Sequence, residues 1–305
     1  MSNLTKLFLG NTNIDFYKLS KTFLKVFFVE IIVFITVIIL VITNVVSLNL
    51  SIDFTGGTLY EVDNISNKKS NEIESFIETL DLNVTRYESI NDGEIYRFRT
   101  NEGSIEEENS VLNEISTYFN SPKESIGFQR VGPTFGDDIS RQGLRALGIF
   151  LFFISLLISY RYEYKFALIA LIALFHDLLM CISIYILISI EITPATIIAI
   201  LTVLGYSLYD TVVIFDKLKD SKSKVKEANI SINTMNNTFN EVIMRSINTS
   251  FTSIVPVLSL ILVGNYLGLQ GALADFAFPL LIGMISGTYS SIFVTAPFIS
   301  RFLTK

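Results

Sequence analysis

Apolar and polar positions divide this chain into six long apolar runs and one polar block. Phe27 to Ser47 is a run of about 20 mostly apolar residues, the length that crosses a bilayer as a helix. Gly143 to Tyr160, Phe166 to Ile188, Ile192 to Phe215, Asn248 to Val263 and Asp275 to Ser300 repeat the signal, so six membrane helices are expected. The polar block, residues 48–141, changes its period. Thr58 to Val62 is β-prone, and Asn71 to Leu80 sets Ile73, Phe76, Ile77 and Leu80 at helical spacing. Asn83 to Ser89 and Glu94 to Thr100 alternate about the turn Asn91-Asp92-Gly93, a hairpin signal. Glu106 to Phe119 carries Val111, Leu112, Ile115 and Phe119 on one face, and Ser125 to Val131 closes as a strand. The order β-α-β-β-α-β is that of a ferredoxin-like sandwich. The expected fold is an α-helical multi-pass membrane protein with a small α+β ferredoxin-like domain at 48–141. An amphipathic segment, 1–26, precedes the first span at 27–47, and a bundle at 142–305 is interrupted by a polar loop at 217–245.

Composition supports the membrane reading. Half the residues are apolar, 17% are charged, and mean hydropathy is +0.51. A net charge of −6 argues against a nucleic-acid partner. With one Cys (Cys181) and one His (His176) there is neither an internal disulfide nor a Cys/His metal site, and no metal or other cofactor is expected. Phosphate-loop, dinucleotide and nucleophile-elbow motifs are absent from the sequence, so nothing supports energy from a bound nucleotide. Phe27 to Ser47 is too long, and too far from the N-terminus, for a cleaved signal peptide.

Lys and Arg collect in the N-terminal segment (Lys6, Lys18, Lys21, Lys25), the turn at 161–165, the 217–245 loop (Lys217, Lys219, Lys222, Lys224, Lys226) and the tail (Arg301, Lys305). The loops at 189–193 and 265–274 contain none. Both termini are therefore expected in the cytoplasm, and the 48–141 domain outside.

Asp210 stands well inside the fourth run, where a charge costs at least ~2.5–3.5 kcal/mol. It should be paired, neutral, or on a proton or ion path. Arg245 precedes the fifth span on the same side; an Asp210–Arg245 pair would offset the burial cost, and protonating Asp210 would weaken it, which makes a switch. On pattern alone Arg245 also fits a snorkelling helix end. His176-Asp177 lies mid-way along the third span, open to a structural or a functional reading, and Glu30 is expected to reach the headgroups from the inner end of the first. Gly283-Met284-Ile285-Ser286-Gly287 reads as helix packing. Pro194, Pro256, Pro279 and Pro297 mark helix starts or kinks, and Cys181 fills the core.

Four motifs then converge. Ser51-Ile52-Asp53-Phe54-Thr55-Gly56-Gly57-Thr58, Val131-Gly132-Pro133-Thr134-Phe135-Gly136, Gly205-Tyr206-Ser207-Leu208-Tyr209-Asp210-Thr211-Val212-Val213 and Gly283-Met284-Ile285-Ser286-Gly287-Thr288-Tyr289-Ser290-Ser291 resemble the SecF family of the bacterial Sec protein-export machinery, a branch of the RND superfamily. The resemblance runs from about residue 20 to 303 and implies an accessory translocase subunit of the inner membrane that is not an enzyme. Its implied partners are SecD, the SecYEG channel, YajC, unfolded preproteins and the lipid bilayer, and its implied coupling ion is the proton. The family's membrane Asp falls on Asp210, its Arg on Arg245 in Arg-x-Ile-Asn-Thr-Ser, and its His-Asp on His176-Asp177. Asp53, Gly56, Gly57, Gly132, Pro133, Gly205, Tyr206, Ser207, Gly283 and Gly287 fall on its structural motifs. The chain departs from the pattern at Tyr209, where Asn is common, at Ser51, and at Phe135 with Asp138-Ile139. The loop after Asp216 is also Lys-rich where the family tends to have Arg-Glu-Asn.

Two other classes compete. An intramembrane aspartyl protease would use Asp177 and Asp210, but the Gly-x-Gly-Asp motif it needs is missing from the sequence. A stand-alone exporter of the RND type would need two such six-helix halves.

Overall fold

The computed structural model describes residues 12–65, 68–80, 84–90, 93–225, 230–266 and 272–304. Lys6, Asn83, Asn91, Asp92, Lys226, Lys305 and the 267–271 part of one expected loop lie outside them. The chain divides into two compact units, Met1–Asn49 with Arg145–Lys305, and Leu50–Leu144.

In the smaller unit, a short helix α1 (Ile52–Thr55) leads into β1 (Gly57–Asp63), then α2 (Ser70–Ile77), β2 (Val84–Ile90), β3 (Ile95–Thr100), α3 (Ile105–Phe119) and β4 (Gly127–Val131). The sheet is antiparallel in the order β2-β3-β1-β4, the arrangement of a ferredoxin-like sandwich. Alternation along the strands turns Tyr60, Val62, Tyr96 and Phe98 inward against Ile73, Val111, Ile115 and Phe119 of the helices. Ser104 and Glu107 form a capping box that starts α3, and the Ser104 amide holds the Glu107 carboxyl below its usual range. Two glycines turn the chain into β1. Gly56 ends α1 at φ 72°, and Gly57, at φ 115°, leaves only 2.4 Å between the Cβ site and the Thr100 carbonyl oxygen. Asp53 accepts from Ser51 Oγ at 3.2 Å. A Cβ on Gly136 would lie 2.5 Å from the Phe54 carbonyl oxygen, so the first and second motifs meet through backbone.

The remaining helices are α4 (Phe16–Ile42), first in the chain, and then α5 (Pro133–Arg161), α6 (Tyr164–Leu187), α7 (Pro194–Val225), α8 (Ile232–Tyr266), α9 (Ala272–Tyr289) and α10 (Thr295–Phe302), the last two joined by a π-helical turn, Ser290–Val294. Six candidate spans are long and apolar enough to cross a membrane among the described residues, α9, the π turn and α10 making one. Phe28, Ile32 and Ile39 of α4 and Phe152 and Leu156 of α5 are more than half exposed, as side chains facing lipid are.

Three boundaries differ from the sequence expectation. The first span begins at Phe16, not Phe27, and ends before Ser47. Asp15 caps it, accepting from the Lys18 amide at 3.0 Å, and Asn236 and Asn240 of α8 accept from the Tyr17 and Ile14 amides at 2.9 and 2.8 Å. Those contacts satisfy the polar start that periodicity alone left outside the helix; the same Lys18 amide, with Asn236, holds the Asp15 carboxyl below its usual range. The second long helix begins at Pro133 rather than Gly143, since proline suits a first helical position. The expected loop at 217–245 is helical over most of its length. Leu218, Met235 and Phe239 are buried there, and Lys217 pairs with Glu241 across α7 and α8 at 2.6 Å. The neighbouring basic turn is engaged too: the Tyr162 hydroxyl donates to Asp216 at 2.5 Å, and burial, then that carboxylate, push the phenol up to about 12.

The small-residue stripe of α9 is a packing seam. A Cβ on Gly283 would fall 2.2 Å from Val203 Cγ1, and one on Gly287 would fall 2.7 Å from Ser207 Cβ, both on α7. Gly205, on the same helix, has nothing within 4 Å of its Cβ position. Gly287→Ala is therefore expected to cost ~1–3 kcal/mol by overpacking. Gly205→Ala should leave the detergent-solubilised chain no less stable, and thermal unfolding of the two variants beside the parent checks the contrast.

Candidate functional site

The bundle holds two carboxylates in opposite states. Asp177, mid-way along α6, is fully buried. Its Oδ2 accepts from Ser207 Oγ at 2.5 Å and Ser290 Oγ at 2.8 Å, and its Oδ1 accepts from Ser286 Oγ at 2.7 Å. Helical spacing makes this possible: Ser286 and Ser290 are four residues apart on one face, and the Gly283/Gly287 seam lets α7 bring Ser207 close. The π-helical turn that starts at Ser290 is a local device often found at functional positions.

Asp210 is 2% exposed, one turn beyond Ser207 on α7. Its Oδ2 has no hydrogen-bond partner. Ser246 of α8 lies beside it, yet the Ser246 hydroxyl is itself unpartnered. Arg245 lies inside the 35-residue α8 rather than ahead of it. It does not pair with Asp210 as expected: Nη2 donates to the Tyr209 hydroxyl at 2.8 Å, and the guanidinium stands 5.6 Å from the Tyr209 ring centre. Asp210 points into the bundle and Tyr209, its neighbour in sequence, points out, being 53% exposed, so the phenol intercepts the cation.

The other expected residues are placed around this pair. The Tyr206 hydroxyl donates to Ser250 Oγ of α8 at 3.4 Å, and Ser250 in turn meets Thr288 of α9. His176 is buried beside Asp177, with Nδ1 at 3.4 Å from Oδ1. Asp53, Gly56, Gly57, Gly132 and Pro133 belong to the smaller unit.

One residue was misplaced by the sequence reading. Glu30 faces the bundle instead of standing free at a helix end: because α4 starts at Phe16, Glu30 falls mid-way along it, with Oε2 at 3.1 Å from His176 Nε2. The signal was present as an acidic residue within an apolar run, but the helix start that fixes its depth depends on α8. Ser286 and Ser290 were also missed as ligands of Asp177, since hydroxyls in a small-residue stripe look like packing.

The chain matches two family models, "Protein export membrane protein SecD/SecF, C-terminal" over residues 111–305 and "SecD/SecF GG Motif" over residues 48–63. It is 31% identical over 255 residues to protein translocase subunit SecF of Streptomyces coelicolor, covering 83% of this chain and 68% of the relative. It is 40% identical over 184 residues to the subunit of the same name from Mycobacterium tuberculosis, covering 57% of this chain and 40% of that one. The fold resembles the crystal structure of SecDF, a translocon-associated membrane protein from Thermus thermophilus, with a TM-score of 0.81 at 24% identity, over 95% of this chain and 39% of that one.

The contrast between the two carboxylates predicts opposite responses. Asp177→Ala strands three buried hydroxyls and should lower stability by about 3 kcal/mol or more. Asp210→Asn removes a charge with an unpartnered oxygen and should stay within about 1 kcal/mol of the parent or gain stability. Thermal unfolding of both variants in one detergent reads the difference.

Proposed function

The chain belongs to the SecD/SecF family of protein-export membrane proteins, and on that premise we propose that it is an accessory subunit of the Sec translocase. In this reading it acts with SecD in the bacterial inner membrane, both termini in the cytoplasm and the ferredoxin-like domain outside. It uses the proton-motive force to promote translocation of unfolded preproteins through SecYEG, with YajC as a further partner. Protons are its coupling ion, and it is not an enzyme.

The observation that carries the reading is Asp210, a buried carboxylate with an unpartnered oxygen while the nearby cation is held by Tyr209. A charge in that condition gains by taking up a proton or by recruiting Arg245. The first removes the ion; the second neutralises it. Alternation between the two states gives a proton-dependent switch, and a potential of ~100 mV supplies roughly 2.3 kcal/mol per charge moved.

The partner follows from the outward face. Arg245 is exposed, Tyr209 is half exposed, and Gly205 has open space over its Cβ position. Lipid tails satisfy no guanidinium. A companion span that covers this face supplies what the chain lacks, and SecD is the companion the relatives' names suggest. The aspartyl-protease alternative needs two carboxylates sharing a proton, whereas the partners of Asp177 among the described residues are Ser207, Ser286, Ser290 and His176, and Asp210 is turned toward α8.

Complementation tests the proposal. In bacteria depleted of their own SecF, the wild-type chain with its cognate SecD is expected to restore preprotein maturation in a pulse-chase. Asp210→Asn should insert normally and mature preprotein about tenfold more slowly or worse. Equal rescue by both forms would make Asp210 a packing residue.

A further inference from the structure

Glu30, His176 and Asp177 form a line across the bundle interior that the Asp210 switch does not use. Glu30 Oε2 is 3.1 Å from His176 Nε2, and the opposite ring nitrogen, Nδ1, is 3.4 Å from Asp177 Oδ1. An imidazole so placed can accept a proton at one nitrogen and release one at the other. The side chains of His176 and Asp177 are fully buried, while that of Glu30 keeps 19% of its surface open.

Charge counting favours mobile protons over a fixed ion pair. With His176 charged and both carboxylates ionised, the cluster carries a net negative charge inside an apolar bundle, which is costly. The same single proton placed on one carboxyl leaves the ring neutral and one buried charge in place of three, and the other carboxylate is then free to receive. Asp177 is held by three serine hydroxyls, and Glu30, at the partly open end of the line, is the carboxyl placed to exchange. The other titratable side chains that face the cluster are Tyr289, whose hydroxyl reaches Glu30, and Cys181, below Asp177 on α6.

The partly open end of the line borders a cleft. Glu30, Ser286 and Tyr289 line one side of a cleft of about 320 Å³ whose remaining wall is Met180, Ile184, Ile282 and Ile285. At the other end of the line, Ser207 joins Asp177 to the helix turn that carries Asp210.

We propose that Glu30–His176–Asp177 is a proton relay, with Glu30 as the group that exchanges protons at the cleft. In the forward step the proton on Glu30 Oε2 passes to His176 Nε2 as the Nδ1 proton passes to Asp177 Oδ1. The ring stays neutral and changes tautomer, Glu30 becomes ionised and Asp177 becomes neutral, so no proton is gained or lost. The relay rests on the proton-coupled reading above and adds to it a second buried site, fed from the first helix.

His176 is the single histidine of the sequence, which makes the test direct. The full chain, labelled with nitrogen-15 histidine and reconstituted with its cognate SecD in lipid nanodiscs, gives one pair of ring-nitrogen resonances. The relay predicts that the wild-type pair shows two exchanging tautomers, and that Glu30→Gln collapses it to one. The same variant should slow preprotein maturation by about tenfold or more. A wild-type ring fixed in one tautomer at every pH overturns the relay without any variant, as does a Glu30→Gln chain with unchanged resonances and export within about twofold of wild type. If Glu30→Gln does not accumulate in the membrane, the wild-type tautomer measurement decides alone. Failure of the broader reading looks different: Asp210→Asn would then export normally while the His176 signals still respond to Glu30.

Discussion

The bundle depends on one carboxylate. Asp177 takes hydroxyls from Ser207, Ser286 and Ser290, and in doing so ties α6 to α7, to α9 and to the π-helical turn. In a bilayer the hydrophobic effect does little to press helices together, and packing plus hydrogen bonds must do so. A buried anion with three donors is a strong form of that bond, and it works only if the backbones come close. Gly283 and Gly287 allow the approach, because any Cβ there would strike Val203 or Ser207. The glycines and the carboxylate thus make a single device.

Asp210 gains its meaning by contrast. It is one turn from Ser207 on the same helix, almost as buried, and lacks the donors that Asp177 has. The donors lie on the α6 and α9 side of α7, whereas Asp210 is turned toward Ser246 on α8, whose hydroxyl makes no bond. Arg245, the cation that could settle it, is held by Tyr209. An interior that satisfies one carboxylate in full and leaves its neighbour short is rigid at one point and able to change at the next. A rigid neighbour also keeps the cost of switching local, because α7 cannot relax away from an unpaired charge while Ser207 holds it.

Much of this was legible in the sequence, and the part that was not has a common cause. The alternation at Thr58 to Val62 and Glu94 to Thr100, with the helical spacing of Val111, Ile115 and Phe119, sufficed for the ferredoxin-like unit, since each element buries one face against its neighbours. The apolar runs sufficed for six spans, and the cost of burial singled out Asp210. What failed were features decided by contacts between distant segments. The start of α4 at Phe16 depends on Asn236 and Asn240, more than two hundred residues away. The helical character of 217–225 and 232–245 depends on Leu218, Met235 and Phe239 finding a core. A local window sees only their polar neighbours. The Asp210–Arg245 pair failed for another reason: the two helices are neighbours, but the Tyr209 hydroxyl, on the outward side of α7, takes the cation.

Glu30 shows how one such displacement propagates into chemistry. With a helix beginning at Phe27, Glu30 would sit in the first turn, near water, and would need no partner. Extending the helix back to Phe16 adds three turns ahead of it, about 16 Å of helix at 1.5 Å per residue, and places Glu30 mid-way along α4. At that position the carboxyl meets His176, with Oε2 at 3.1 Å from Nε2. The imidazole, already beside Asp177, thereby acquires an acidic neighbour on each side. The contacts of Asn236 and Asn240 at the edge of the bundle and the Glu30–His176 contact at its centre thus lie along one continuous helix.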